Sequence, residues 1–232
     1  MGSGLRVLAL GAHPDDVEIY MFGALSAWSV AGATVTIAIA TDGAKGGTGD
    51  PAEMSRTRKR EAAEAAALLG VAPRFLDFPD GALVPDAGLV GGLKGLIGEV
   101  LPDIIVTHAG NDYHGDHRAL SEAVGIAASF TAPVIHADNL RGVGFAPTHY
   151  VDITAHAEMK ARAIRAHASQ DPERFVVATG LLNRFRAAQA NGGETEQAEA
   201  YRFEPIFPFV DIRALLPPAP QVRPVRNRNI AT

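Results

Sequence analysis

The chain predicts an α/β fold: a mainly parallel sheet with helices on both faces. Five short apolar runs recur along it, at residues 5–10, 34–40, 74–78, 104–108 and 134–137. They are apolar almost throughout instead of alternating with polar residues, the pattern of strands buried on both sides. Longer segments with helical spacing separate them, and strand followed by helix, repeated, favours parallel pairing with helices packed over the sheet.

Leu5 to Leu10 is the first strand, and it leads straight into Ala12-His13-Pro14-Asp15-Asp16. Asp15 to Glu18 has the spacing of a helix capping box, so a helix starts there. Tyr20, Met21, Phe22 and Trp28 on that helix read as core or as the wall of a pocket. After the strand at 34–40, Asp42-Gly43 is turn chemistry, and Ala44 to Asp50, dense in glycine, is a flexible loop able to fold over the strand ends. Asp50-Pro51-Ala52-Glu53 supplies a cap, a proline at the first helical position and a glutamate three residues after the cap. With Gly70 following Leu68-Leu69, this marks a helix over about 52–69. Asp152-Ile153-Thr154 reads as a strand end and a cap before a helix reaching about His167, and 173–190 as another helix. Residues 1–216 read as a single domain. The tail at 217–232, with Pro217, Pro218, Pro220 and Pro224, is expected to be extended or disordered.

Composition narrows the chemistry. The 232 residues are 47% apolar and 20% charged, ample for a full core. There is no cysteine, which removes thiolate nucleophiles, disulfides and cysteine-held zinc, so any metal must be held by nitrogen and oxygen. A net charge of −5 argues against nucleic acid as a partner, despite the local cluster Arg56, Arg58, Lys59 and Arg60. No apolar run is long enough to span a bilayer and no leader pattern precedes Leu5, so a cytoplasmic protein without a membrane partner is expected. A homo-oligomer is compatible with all of this.

In open parallel sheets ligands bind beyond the carboxyl ends of the strands. His13-Pro14-Asp15-Asp16 follows the first strand there, and His114-Gly115-Asp116-His117 lies a few residues beyond the strand at 104–108. Each cluster alone has an ordinary explanation, as a cap or a polar loop; together they read as one metal site. His13 and Asp16, three apart, are close enough to share an ion, and His117 is the candidate third ligand. Three protein ligands leave a coordination position for water, whose pKa zinc lowers from 15.7 to roughly 7. Asp15 is then the candidate general base, and His114 an imidazolium able to stabilise an oxyanion or protonate a departing amine. Asp116 is placed to orient a ligand ring. Arg58 and Asp112 are candidate substrate contacts, and His167 and Gln170 candidate pocket residues.

His13-Pro14-Asp15-Asp16, Glu18, Asp112-Tyr113-His114-Gly115-Asp116-His117-Arg118, Arg58 with Glu61 ahead of Ala65 to Gly70, and Ala166-His167-Ala168-Ser169-Gln170 resemble the PIG-L or LmbE-like zinc deacetylases. The resemblance runs over about residues 5–175. It implies a Rossmann-like sheet, zinc held by His13, Asp16 and His117, Asp15 as base, His114 as its electrostatic or acid partner, and removal of an acetyl group from an N-acetylglucosamine-type amino sugar. Two positions depart from the family pattern: Val17 is inserted before Glu18, and Gly115 stands where proline is common. The family also contains a hydratase of an unsaturated carboxylic acid, the principal alternative activity. Two histidines and a carboxylate are also the facial triad of non-haem iron oxygenases, although strand–helix alternation does not match their barrel. A nucleotide-binding module lacks support, since neither G-x-G-x-x-G nor G-x-x-x-x-G-K-[ST] is present.

Overall fold

A computed structural model of the chain describes residues 4–223. Seven strands form one sheet: β1 Arg6–Gly11, β2 Thr34–Thr41, β3 Arg74–Phe78, β4 Ile104–His108, β5 Val134–Ala137, β6 His149–Asp152 and β7 Ala198–Phe203. Their spatial order is β3-β2-β1-β4-β5-β7-β6. β1 to β5 are mutually parallel, and only β7 runs against its neighbours. The five strands expected from the apolar runs are all present at nearly the expected bounds.

The helices are α1 Asp16–Tyr20, α2 Phe22–Val30, α3 Pro51–Ala66, α4 Ala87–Val100, α5 Gly115–Ala127, α6 Ala157–Arg165 and α7 Pro172–Gln189. Alternation along β1 divides the core. Val7 and Ala9 face α1 and α2 through Val17, Ile19, Leu25 and Trp28, whereas Leu8 and Leu10 face α4 and α5 through Leu93, Ile97, Leu120 and Val124. Both faces of the central strands β1, β2 and β4 are therefore covered, which is why they carry few polar residues, whereas β3, expected to be buried on both sides, is an edge strand with Arg74 and Asp77 exposed. None of the helices in the described residues is long and apolar enough to cross a membrane.

Local chemistry explains the boundaries. Asp50 Oδ1 accepts the Ala52 N–H at 3.1 Å and Pro51 opens α3. After the last turn Gly70 adopts φ 72°, a left-handed conformation glycine takes at little cost. α4 contains Gly88, Gly91, Gly92, Gly95 and Gly98, each costing about 1 kcal/mol in helix propensity. It forms nonetheless, because Leu89, Leu93, Leu96 and Ile97 share one buried stripe and Asp86 caps the Leu89 N–H at 2.9 Å. Within the proline-rich tail, residues 217–223 run without helix or strand. Pro217 and Pro220 are buried, and the Pro218 carbonyl accepts the Asp152 N–H at 2.8 Å. The remainder of that tail, 224–232, lies outside the described residues.

β7 has no counterpart among the expected strands, and it carries one buried acid. Glu199, 2% exposed, accepts the Gly23 and Ala24 N–H groups at the start of α2, both at 2.9 Å. It also accepts Lys160 Nζ of α6 and the Tyr201 hydroxyl, both at 2.6 Å. Removing one partner of such a buried pair leaves the other charge uncompensated. Glu199→Ala is expected to destabilise the protein by about 3–5 kcal/mol in urea unfolding, whereas exposed Glu204→Ala should stay within about 0.5 kcal/mol.

Candidate active site

The strand order reverses between β1 and β4, the switch point at which open α/β sheets form a crevice. His13, Asp15 and Asp16 leave the end of β1, while Asp112, His114 and His117 follow β4. The two groups meet across that crevice, at one end of a cleft of about 360 Å³.

Its floor holds the three residues expected to ligate a metal. His13 Nδ1 lies 3.2 Å from Asp16 Oδ2, and His117 Nε2 lies 3.2 Å from Asp16 Oδ1 and 3.3 Å from His13 Nδ1. Tetrahedral zinc with bonds of about 2.0–2.1 Å separates neighbouring donors by about 3.3 Å, so the spacing fits such an ion. The chemistry of the donors fits as well, since two imidazole nitrogens turned toward each other beside a carboxylate form a pocket for a cation. Three other three-residue donor sets share members with this one: His13, His114 and His117; Asp16, His108 and His117; and His13, Asp80 and Asp116.

The outward nitrogens of both imidazoles are engaged by acids. His13 Nε2 faces Asp116 at 3.1 Å and Asp80 at 3.3 Å, and His117 Nδ1 faces Asp112 at 3.1 Å. A carboxylate on the far nitrogen fixes the ring and its tautomer and raises the basicity of the near one. Asp116 is itself held by the Gly81 and Leu83 N–H groups at 2.7 and 3.1 Å. Burial opposes charging either ring, but the Asp16 charge and these hydrogen bonds prevail, pushing His13 up to about 12 and His117 up to about 9. Burial would raise Asp16, yet His117, His108 and His13 hold it well below the usual carboxylate range.

Asp15 is not a helix cap. It precedes α1 with φ 130° and makes no capping hydrogen bond, and a non-glycine residue there carries backbone strain. Its carboxylate instead accepts Arg58 Nη2 at 3.1 Å. Burial pushes Asp15 up to about 6, against the opposing charge of Arg58.

Two expected substrate contacts have other neighbours. Arg58, 4% exposed, donates to the Pro14 carbonyl at 2.8 Å and the Gly43 carbonyl at 3.1 Å as well as to Asp15. It lines the cleft while bracing the β1 and β2 loops and holding Asp15. Asp112, 2% exposed, accepts the His114 N–H at 2.9 Å while facing His117, which makes it a support for that ring. His114 Nδ1 accepts the Asp116 N–H at 3.2 Å, which leaves Nε2 as its free nitrogen, and burial with the nearby His13 and His117 lowers its pKa.

Of the expected pocket residues, Gln170 lines the cleft and its Nε2 donates to the Gly46 carbonyl at 3.1 Å, tying down the glycine-rich loop. His167 is buried against Glu18 at 3.2 Å. Tyr20 reaches the cleft, whereas Met21, Phe22 and Trp28 are core. Residues not singled out from the sequence are Asp80, Lys45 and His108. Asp80 follows β3 as His13 follows β1, a strand-end position that could have signalled it. His108 had been read only as the end of a strand; its ring stacks on His117 with centroids 3.8 Å apart.

Comparison with known proteins agrees with this geometry. A family model described as PIG-L: GlcNAc-PI de-N-acetylase matches residues 8–128, a span that includes both clusters. The diacetylchitobiose deacetylase of Thermococcus kodakarensis is 30% identical over 189 residues, covering 72% of this chain and 71% of that protein. Among solved structures, the N,N'-diacetylchitobiose deacetylase of Pyrococcus horikoshii superposes with a TM-score of 0.76 and 25% identity, over 89% of this chain and 88% of that one. The 4-carboxy-2-hydroxymuconate hydratase of Pseudomonas putida KT2440 shares the fold, with a TM-score of 0.77 and 21% identity over 87% of this chain and 98% of that one. With the paired clusters at the sheet's switch point and the family match extending across them, the chain belongs to the PIG-L (GlcNAc-PI de-N-acetylase) family.

Proposed function

We propose that this protein is a zinc-dependent hydrolase that removes the N-acetyl group from an N-acetylglucosamine-type sugar or its conjugate. The observation carrying this reading is the 3.2–3.3 Å triangle of His13, Asp16 and His117 with Asp15 held beside it. The deacetylase relatives support the amide as the bond attacked. Zinc held by those three residues would supply a Lewis acid that polarises the acetyl carbonyl and acidifies water.

The chain's own groups supply the rest. Asp15 accepts a proton from the attacking water, whose oxygen bonds to the acetyl carbon. The neutral His114 Nε2–H donates to the carbonyl oxygen as it gains negative charge. As the C–N bond breaks, Asp15 returns the proton to the leaving nitrogen, giving acetate and a free amine. With His114 Nδ1 accepting the Asp116 N–H, both proton transfers fall in this reading to Asp15 and the oxyanion contact to His114. Asp112 and Asp116 orient the ligand rings, and Arg58 orients Asp15.

An acetate-release screen across acetamido sugars, with metal content measured on the same preparation, tests the proposal. The expected result is release from at least one sugar by protein carrying about one equivalent of zinc. An unsaturated carboxylic acid belongs in the panel because a hydratase shares the fold. Hydration of that acid without acetate release, or iron content with oxygen uptake, would overturn the deacetylase reading.

A further inference from the structure

One wall of the cleft carries two cationic side chains that the mechanism does not use. Lys45 lies on the loop after β2 and Arg174 in the first turn of α7, and both line the cleft. The Gln170 Nε2 bond to the Gly46 carbonyl joins these two segments, so the cations share one rim. Lys45 is held toward the site: its backbone N–H donates to Asp80 Oδ2 at 2.9 Å, and a Cβ placed on Gly81 would lie 3.0 Å from its Nζ. Asp80 in turn faces His13.

The acids nearby are committed elsewhere. Asp15 is taken by Arg58, Asp16 by the imidazoles, and Asp80 by His13 and the Lys45 backbone. Glu173, next to Arg174, pairs with Arg165 at 2.7 Å. Among the described residues, no carboxylate lies within 4.0 Å of Lys45 Nζ or the Arg174 guanidinium. Lys45 and Arg174 are both exposed to solvent, and a cation in the first turn of a helix is at the unfavourable end of the helix dipole. Tyr113 also lines the cleft and offers an apolar face to a sugar ring, and Phe175 lines it with the Arg174 guanidinium packed over its ring, 4.4 Å from the centroid.

From this arrangement we infer that the substrate bears an anionic substituent, a phosphate or a carboxylate, received by Lys45 and Arg174. The inference rests on the deacetylase reading and narrows its substrate class. A carboxylate or phosphate here would make charge-assisted hydrogen bonds, with Arg174 able to bind in bidentate fashion.

The test compares N-acetylglucosamine with its 1-phosphate, its 6-phosphate and N-acetylmuramic acid, in the wild type and in a Lys45→Ala/Arg174→Ala double variant. At least one anionic sugar should exceed the neutral one in kcat/KM by about tenfold or more. The double variant should reduce that ratio by about the same factor, mainly through KM, and added salt should reduce it too. Which anionic sugar responds distinguishes phosphate from carboxylate. Equal turnover of neutral and anionic sugars, or a ratio indifferent to the double variant, overturns the inference while leaving deacetylation intact. Calorimetry with glucosamine and glucosamine 6-phosphate reads the same preference without catalysis, so a failure of the deacetylase reading remains distinguishable. There, equal affinity for the two ligands would count against the inference.

Discussion

Asp15→Asn is expected to lower kcat for acetate release by about 10²–10⁴-fold while zinc content stays near one equivalent. The substitution is close to isosteric, and its side-chain oxygen can still accept from Arg58 Nη2. Arg58 keeps its bonds to the Pro14 and Gly43 carbonyls and stays 3.8 Å from Asp80, so the surrounding loops should hold. The loss is confined to proton transfer: an amide can neither take the proton from water nor return it to the nitrogen. KM should change much less than kcat, because in the proposed mechanism Asp15 acts on the attacking water and leaving group. The strained backbone at φ 130° gives this prediction structural weight, since the fold holds this residue in an unfavourable conformation without the hydrogen bond a cap would provide. Wild-type kcat in the variant would remove Asp15 as the base, and loss of zinc would make it a ligand.

Much of this architecture was legible from residues alone. The apolar runs marked β1 to β5 as strands, although burial on both faces holds for β1, β2 and β4 and not for the edge strand β3, and α3 announced itself through Asp50, Pro51 and Gly70. The two His/Asp clusters were readable because both lie beyond strand ends on the carboxyl side of a parallel sheet. β7 was not legible: Glu199 is its second residue, and its burial depends on partners contributed by α2 and α6, which are distant in sequence. Direction was the other hidden quantity. The sequence identifies Arg58 and Asp112 as charged residues near the site, but not that Arg58, while lining the cleft, is tied to the Pro14 and Gly43 carbonyls, nor that the β4–α5 loop turns Asp112 onto His117. Asp80 had no companion in sequence to mark it, and only the adjacency of β3 to β2 brings it to the cleft beside Lys45 and His13.

His13→Ala should abolish stoichiometric zinc binding and reduce acetate release by at least about 10³-fold, whereas His108→Ala should retain close to one equivalent. The contrast matters because His108 and His13 both approach Asp16 Oδ2 at 3.2 Å, and either could complete a donor set with His117. Three features favour His13. It lines the cleft, so an ion there would meet substrate, whereas the His108 side chain is wholly buried. Its far nitrogen is backed by Asp116 and Asp80, the arrangement that fixes a ligating imidazole, whereas no hydrogen-bond partner meets His108 Nδ1 among the described residues. His108 Nε2, the atom nearest Asp16, already accepts the Ala12 N–H at 3.0 Å, and burial with the neighbouring His117 lowers its pKa to about 4. His108 therefore serves as a neutral packing surface beneath His117, and its removal should cost stability before it costs metal. Elemental analysis of the two purified variants, with thermal unfolding as a check on folding, measures the difference. Zinc retained in folded His13→Ala and lost from folded His108→Ala would reverse the assignment and move the ion away from the cleft.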